Sequence, residues 1–202
     1  IPSGTSFVGF DLGDVSGTTG LQLNTDSVTN GITTFLRPED GAWDPVNPKH
    51  FYFVTTDSFA GKSRLWRLQF VDPSDPSLGV ALDMLLDGSE GQKMMDNITM
   101  TRRGSVFIQE DVGNNAHLGR VLRYGIAKDK VEEVAIHDPQ RFLTGGASFL
   151  TQDEEASGII PLNEILGEGW FLLDVQAHYS TDTELVEGGQ LLLLRFPPGQ
   201  DN

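Results

Sequence analysis

A strand–loop–strand unit recurs three times along the chain, and repeats of this kind constrain a fold more than any single motif does. In each unit an apolar run ends in a polar or acidic residue, and a loop then leads to a second apolar run. The paired runs are residues 51–57 with 64–70, 106–112 with 120–126, and 171–177 with 190–196. Short apolar runs separated by clusters of Gly, Pro, Asp and Asn are typical of β-strands and turns. The sequence therefore predicts an all-β fold.

The spacing of the units favours a β-propeller. A further short strand precedes the first two units, at residues 41–44 and 97–101, and nearly the same interval separates Asp40 from Asn97 as separates Arg64 from Arg120. Blades of about 40 to 50 residues with long loops give such an interval. If residues 6–36 form a partial blade, the chain holds about four blades, which we interpret as part of a larger ring or an incomplete propeller. An irregular β-sandwich is the alternative.

Composition limits the domain count and the class of partner. The 202 residues carry a net charge of −15, and such a surface repels nucleic acid and anionic membranes. We expect a single domain over residues 1–202. The absence of cysteine excludes disulfides and thiolate metal sites. No apolar run is long enough for a membrane helix, and a start at Ile1 without a signal sequence indicates a processed or excised piece.

Acidic and amide residues cluster at four places next to the predicted inner strands. The clusters are Glu39 with Asp40, Asp96 with Asn97, Glu110 with Asp111, and Asp153 with Glu154 and Glu155. In a propeller, the ends of successive inner strands converge on a central channel, so these groups would form a ring of oxygen ligands. Such a ring suits Ca²⁺, which takes six to eight oxygens. The alternative is a solvated acidic surface.

Arg37 and His178 are the candidate catalytic residues. His178 follows a predicted strand end, where it would act as a general acid or base, and Arg37 would clamp a phosphate. Arg102 and Arg103 are further clamp candidates, although with Gly104 they are more typical of a hairpin turn. The sequence has no nucleophile elbow, P-loop or zinc motif, so catalysis would depend on a metal.

Four segments of the chain resemble the PhoX family of calcium-dependent alkaline phosphatases, which have a six-bladed propeller. The segments are Arg37-Pro38-Glu39-Asp40-Gly41; Asp96-Asn97 with Arg103-Gly104 and Glu110-Asp111; Asp153-Glu154-Glu155 with Ser157-Gly158-Ile159-Ile160; and Asp174-Val175-Gln176 with Gly188-Gly189-Gln190-Leu191. The resemblance covers most of the chain from Arg37 to Pro197. The resemblance implies that the chain is the C-terminal part of a longer, secreted, periplasmic or cell-surface protein.

The resemblance also implies hydrolysis of phosphate monoesters by metal-activated water. Glu39 and Glu110 would be metal ligands, with Asn97 beside them. Members of the family pair calcium with iron at a site that includes a cysteine, so here a second metal such as iron would need ligands from additional sequence. Two other functions remain open: a non-catalytic extracellular calcium module that assembles through its sheet edges with the rest of the chain or with other copies, and a calcium-dependent lactonase.

Overall fold

The computed structural model describes residues 1–181 and 186–197, and strands account for most of its regular structure. The strands are β1 (Thr5–Phe7), β2 (Pro38–Trp43), β3 (His50–Thr55), β4 (Arg64–Phe70), β5 (Val80–Leu86), β6 (Met95–Met100), β7 (Ser105–Glu110), β8 (Arg120–Gly125), β9 (Lys130–Ile136), β10 (Glu154–Pro161), β11 (Trp170–Ala177) and β12 (Gly188–Arg195). The helices are α1 (Gly20–Thr29), α2 (Pro139–Phe142) and α3 (Asn163–Leu166), and a 3₁₀ turn spans Pro76–Leu78. The prediction of an all-β fold is confirmed.

Three antiparallel sheets follow one another along the chain. Sheet 1 has the order β1-β5-β4-β3-β2, sheet 2 the order β6-β7-β8-β9, and sheet 3 the order β10-β11-β12. The three predicted strand pairs are the hairpins β3–β4, β7–β8 and β11–β12. The edge strands β2, β6 and β10 each precede one of these hairpins, and we call them the first strands. Strand β6 contacts both β2 and β10. The three sheets therefore meet along their first strands.

The expectation of a fourth, partial sheet in residues 6–36 is wrong. Strand β1 joins the far edge of sheet 1 by pairing with β5, and α1 follows as an isolated helix with no buried residue. Its N-terminus is capped by the side chain of Thr19, which accepts a hydrogen bond from the backbone of Gln22. The apolar residues of this segment are scattered, so they cannot supply the alternating face that a strand needs. No described helix is long and apolar enough to cross a membrane.

Alternating side chains of the middle strands form the core between sheets. Tyr52 and Val54 of β3 lie in a cluster with Met95 and Ile108 of sheet 2. On the opposite side of sheet 2, Phe107 and Val121 lie in a cluster with residues of sheet 3: Ile159, Phe171 and Leu173. Burying one such side chain stabilises the fold by about 1.5–3 kcal/mol. Packing on both faces explains why all six residues of β7 are buried.

Each first strand carries a β-bulge at the same place. The pairing of β2 with β3 shifts between Pro38 and Gly41, that of β6 with β7 between Met95 and Ile98, and that of β10 with β11 between Ala156 and Ile159. Two residues in each first strand therefore face a single residue of the second. The opposed residues are Glu39 and Asp40 with Val54, Asp96 and Asn97 with Gln109, and Ser157 and Gly158 with Asp174. A bulge bends its strand and redirects side chains.

The outward face of sheet 3 exposes a row of apolar side chains. Ile160, Leu172 and Leu193 are direct cross-strand neighbours, and Ile160 and Leu193 are more than half exposed. Leu191, two residues before Leu193 on the same face, is 72% exposed. No strand pairs with the outer edge of β12 within the part of the chain that the structure describes. A face and an edge of this kind are typical of surfaces that pack against other protein.

Candidate functional site

Carboxylates from all three sheets converge where the first strands meet. Glu39 and Asp40 lie in the bulge of β2, Asp96 lies in the bulge of β6, Asp111 follows β7, and Glu155 lies in β10. Asp111 and Glu155 are paired through an isolated antiparallel bridge, which ties sheet 2 to sheet 3 at this point. We refer to these five residues as the carboxylate cluster. It draws at least one residue from each of the four acidic groups that the sequence singled out.

Asp96 has the most perturbed environment in the cluster. Burial, together with the negative charges of Glu39, Asp111, Glu155 and Asp40, raises the pKa of Asp96 to about 6. Like charges at close range disfavour ionisation of the group between them, and a carboxyl in this position is stabilised either by a proton or by a cation. The cluster is therefore an electrostatically unsatisfied site.

Hydrogen bonds within the cluster hold two of its members in place. Asp40 accepts the backbone N–H of Gly41 through Oδ1 at 2.7 Å and that of Ile98 through Oδ2 at 3.0 Å. Its carboxylate thus joins β2 to β6. The side-chain amide of Asn97 donates to Oδ2 of Asp96 at 2.6 Å. Asn97 thereby orients Asp96.

Glu110 lies apart from the cluster and is neutralised within the protein. Its side chain is fully buried, and Arg120 donates to both of its oxygens at 2.7 and 2.8 Å. The backbone N–H of Lys93 donates to Oε1 at 2.7 Å, and the ring of His117 lies 3.2 Å from Oε2. Glu110 in turn raises the pKa of Arg120. A cation could take Glu110 only by displacing these partners, so the geometry supports a structural role for it.

The three consecutive carboxylates at the start of β10 have different environments. Glu154 is 1% exposed; its Oε1 accepts the backbone N–H of Gly119 at 3.1 Å and lies 3.4 Å from Nδ1 of His137. Glu155 points to the other side of the strand, toward the cluster, while the backbone carbonyl of Asp153 accepts the N–H of His178. Alternation along a strand separates neighbours in this way. Only Glu155 of the three belongs to the carboxylate cluster.

His178 and Arg37 lie at the rim of the cluster. Nε2 of His178 is 3.8 Å from Glu155, and Nδ1 is 3.2 Å from Glu187. Burial alone would lower the pKa of His178, but the hydrogen bond to Glu187 and the surrounding negative charges outweigh it, so the pKa is raised. Arg37 pairs with Glu39 at 3.4 Å, and its side chain is 51% exposed. Both cationic groups are therefore accessible beside the carboxylates.

The donor set of the cluster suits a hard cation but does not form a finished cage. All of its side-chain donors are oxygens, the ligands that Ca²⁺ prefers. Within residues 1–181 and 186–197, no three His, Asp or Glu side chains lie close enough together to enclose an ion. A bound cation would therefore draw the carboxylates together or retain water ligands. Nothing in this donor set resembles a thiolate or histidine-rich iron site.

Sequence reasoning missed the partners of the acidic residues. In the β7–β8 hairpin Gln109 is opposite Val121, so the next pair along the same register is Glu110 with Arg120. The register of the predicted hairpin could therefore have indicated this ion pair. Gln109 is buried and accepts the N–H of Gly158 from the bulge of β10 at 3.0 Å, a contact between sheets that no local pattern encodes. Asp174 holds the equivalent position in sheet 3, and burial raises its pKa.

Comparison of the chain with protein-family models, with curated proteins and with solved structures found no match.

Proposed function

We propose that the three sheets are consecutive blades of a six-bladed β-propeller and that the carboxylate cluster binds Ca²⁺ at its centre. Two observations support the propeller: the first strands β2, β6 and β10 lie side by side, and each carries its bulge at the same place. A propeller brings the first strands of successive blades together around one channel. The chain then supplies half of the ring.

The single observation that carries the calcium proposal is the environment of Asp96. Partial burial and the charges of four other carboxylates raise its pKa to about 6. A divalent cation would relieve this repulsion. A loosely arranged site with water ligands would bind in the range of about 10⁻⁴–10⁻³ M that is typical of extracellular calcium modules. We propose a secreted, periplasmic or cell-surface location on the resemblance to the PhoX family alone.

We propose further that the site hydrolyses phosphate monoesters. Bound calcium would polarise the phosphoryl oxygens and activate water. Arg37, exposed at the rim, would hold the phosphate through its guanidinium group. Burial lowers the pKa of His178, but the hydrogen bond to Glu187 and the charges of Asp153 and Glu155 outweigh it and favour the protonated ring, which would donate its proton to the leaving oxygen.

A non-catalytic calcium module is the second candidate function, and the outward face of sheet 3 favours it. The exposed row of Ile160, Leu172 and Leu193 would pack against protein, either the rest of a longer chain or another copy. In that case calcium would stabilise the assembled sheets without chemistry. A lactonase would use the same cation and is distinguished by its substrate.

Calcium titration calorimetry and hydrolysis of 4-nitrophenyl phosphate test these proposals in sequence. Saturable calcium binding that weakens in Asp96→Asn supports the site, and unchanged binding in that variant overturns it. Calcium-dependent phosphate release that falls in both Arg37→Met and His178→Gln supports the phosphatase. Calcium binding without phosphate release, or release that both variants retain, favours the module. Hydrolysis of a lactone in place of the phosphate ester supports the third function.

A further inference from the structure

A second candidate site lies at the end of the sheets away from the carboxylate cluster. There a cavity of about 60 Å³ opens between sheets 2 and 3, next to the turn that joins β6 to β7. Three aromatic rings line it: the ring centroid of Phe107 lies 4.4 Å from that of Phe171 and 5.6 Å from that of Phe196. Phe107 and Phe171 are each 1% exposed and close the bottom of the cavity, so the partly exposed Phe196 is the ring that a ligand can contact.

The polar rim of this cavity comes from two turns. Thr101, Arg102 and Arg103 belong to the β6–β7 turn, which Gly104 closes with φ +76°. Asn163 begins α3. Glu168 and Gly169 precede β11, and Glu168 forms an ion pair with Arg103 across the mouth. The carbonyl of Gly169 accepts the backbone N–H of Phe196 at 2.7 Å, which anchors the rim to Phe196. This hydrogen bond and the ion pair therefore hold the cavity wall in place.

Two side chains on the rim retain unused donors. Neither Arg102 nor Asn163 makes a side-chain hydrogen bond or ion pair within the residues that the structure describes. Both also line an adjoining cavity of about 320 Å³, whose other walls include Met100, Pro161 and Ile165. Arg102 and Asn163 thus lie between the two cavities. A guanidinium with a neighbouring amide is a donor set that matches a carboxylate.

We propose that this groove binds a small amphipathic monocarboxylate, with its apolar group at the mouth of the cavity against Phe196 and its carboxylate on Arg102 and Asn163. A chain with a net charge of −15 repels anions in general, so an anion would settle only where cationic donors are concentrated. Arg103 is already paired with Glu168, which leaves Arg102 as the charge that selects the ligand. Glu164 also lines the adjoining cavity and disfavours a second negative charge on the ligand.

The test uses 4-fluorobenzoate as the probe, followed by fluorine NMR, with protein amide signals to locate the site. The proposal expects saturable binding that shifts the amide signals of Gly169 and Phe196. It expects Arg102→Met to weaken binding about tenfold and Asn163→Ala about threefold. Glu164→Gln should tighten binding, and 4-fluorobenzyl alcohol, which has the same ring and no charge, should bind more weakly than the acid. Arg141→Met, at an arginine that lies outside the groove, is the matched control and should have no effect.

Three results would overturn the proposal: no saturable shift, equal binding in Arg102→Met, or shifts confined to the carboxylate cluster. The last result would mean that the probe follows a cation bound there. A titration in Asp96→Asn separates the two sites, because the groove should keep its affinity in that variant. Arg102 is exposed, so its replacement leaves the fold intact, which a far-ultraviolet circular dichroism spectrum verifies.

Discussion

Replacing Asp96 with asparagine should stabilise the cation-free protein at alkaline pH. The pKa of this carboxyl rises from 3.8 to about 6 in the folded state because of burial and the charges around it. The folded state therefore binds the proton more tightly than the unfolded state does, and stability is lost as the pH rises through that window. Well above pH 6 the folded state has lost all of the stability that the proton on Asp96 contributes. Asparagine keeps the oxygen that accepts from Asn97 and removes the charge.

The size of the effect follows from the same shift. One pKa unit corresponds to about 1.4 kcal/mol, so ionised Asp96 costs the folded state at most about 3 kcal/mol. Solvent screens this half-buried group, and we expect a gain of about 1–2 kcal/mol in Asp96→Asn at pH 8. In a domain of this size that corresponds to a rise in melting temperature of about 3–6 °C. At pH 4, close to the value of 3.8 in the unfolded state, most of the gain should be gone.

Thermal unfolding with a chelator at pH 4 and pH 8 measures this difference. Adding calcium at pH 8 should raise the melting temperature of the wild-type protein by several degrees and that of Asp96→Asn by less, since a bound cation stabilises the folded state. Asp11→Asn, at an exposed residue outside the cluster, is the matched control. A gain that is equal at both pH values, or absent at pH 8, would refute the electrostatic account of the cluster.

Three further predictions concern other parts of the molecule. Glu110→Gln should lower the free energy of unfolding by about 3 kcal/mol in urea titrations, because it breaks a buried pair with Arg120; unchanged stability would contradict the structural role of Glu110. Glu39→Gln should weaken calcium binding in calorimetry while unfolding in urea changes little, and full calcium affinity in this variant would place Glu39 outside the site. Leu193→Asp should reduce self-association in light scattering without loss of folding, whereas Leu173→Asp, at a buried position, should unfold the chain.

The strands that the sequence predicted are those with apolar runs that a single loop connects. The hairpins β3–β4, β7–β8 and β11–β12 combine apolar runs with a connecting loop, so local pattern was sufficient. Strand β9 was missed because its exposed face carries charged residues. For β10 the sequence indicated a strand edge at Glu154 and Glu155 but not the pairing of this strand with β11. The burial of Glu154 depends on Gly119, a partner that only the tertiary fold supplies.

The partners of the acidic residues at the candidate site also depend on the tertiary fold. Asp96 and Glu110 both stand at strand ends next to an acidic or amide residue, and the sequence treated them as equivalent ligands. In the structure Arg120 neutralises Glu110, whereas other carboxylates surround Asp96. Which charge meets which partner depends on how sheets pack, and side-chain identity alone does not fix that packing. The sequence therefore identified the acidic residues at the site but not their division into paired and unpaired groups.

The repeated bulge separates the chemistry of this fold from its stability. In β2 the two bulged residues carry two carboxylates, in β6 a carboxylate and an amide, and in β10 Ser157 and Gly158 carry no charge. In β6 and β10 the residues that follow the bulge, Ile98 and Ile159, return to the core. Substitution of the two bulged residues in each first strand can thus change the charge where the strands meet while the hydrophobic layers keep their register. A designer could graft a different ligand set onto these positions without repacking the protein.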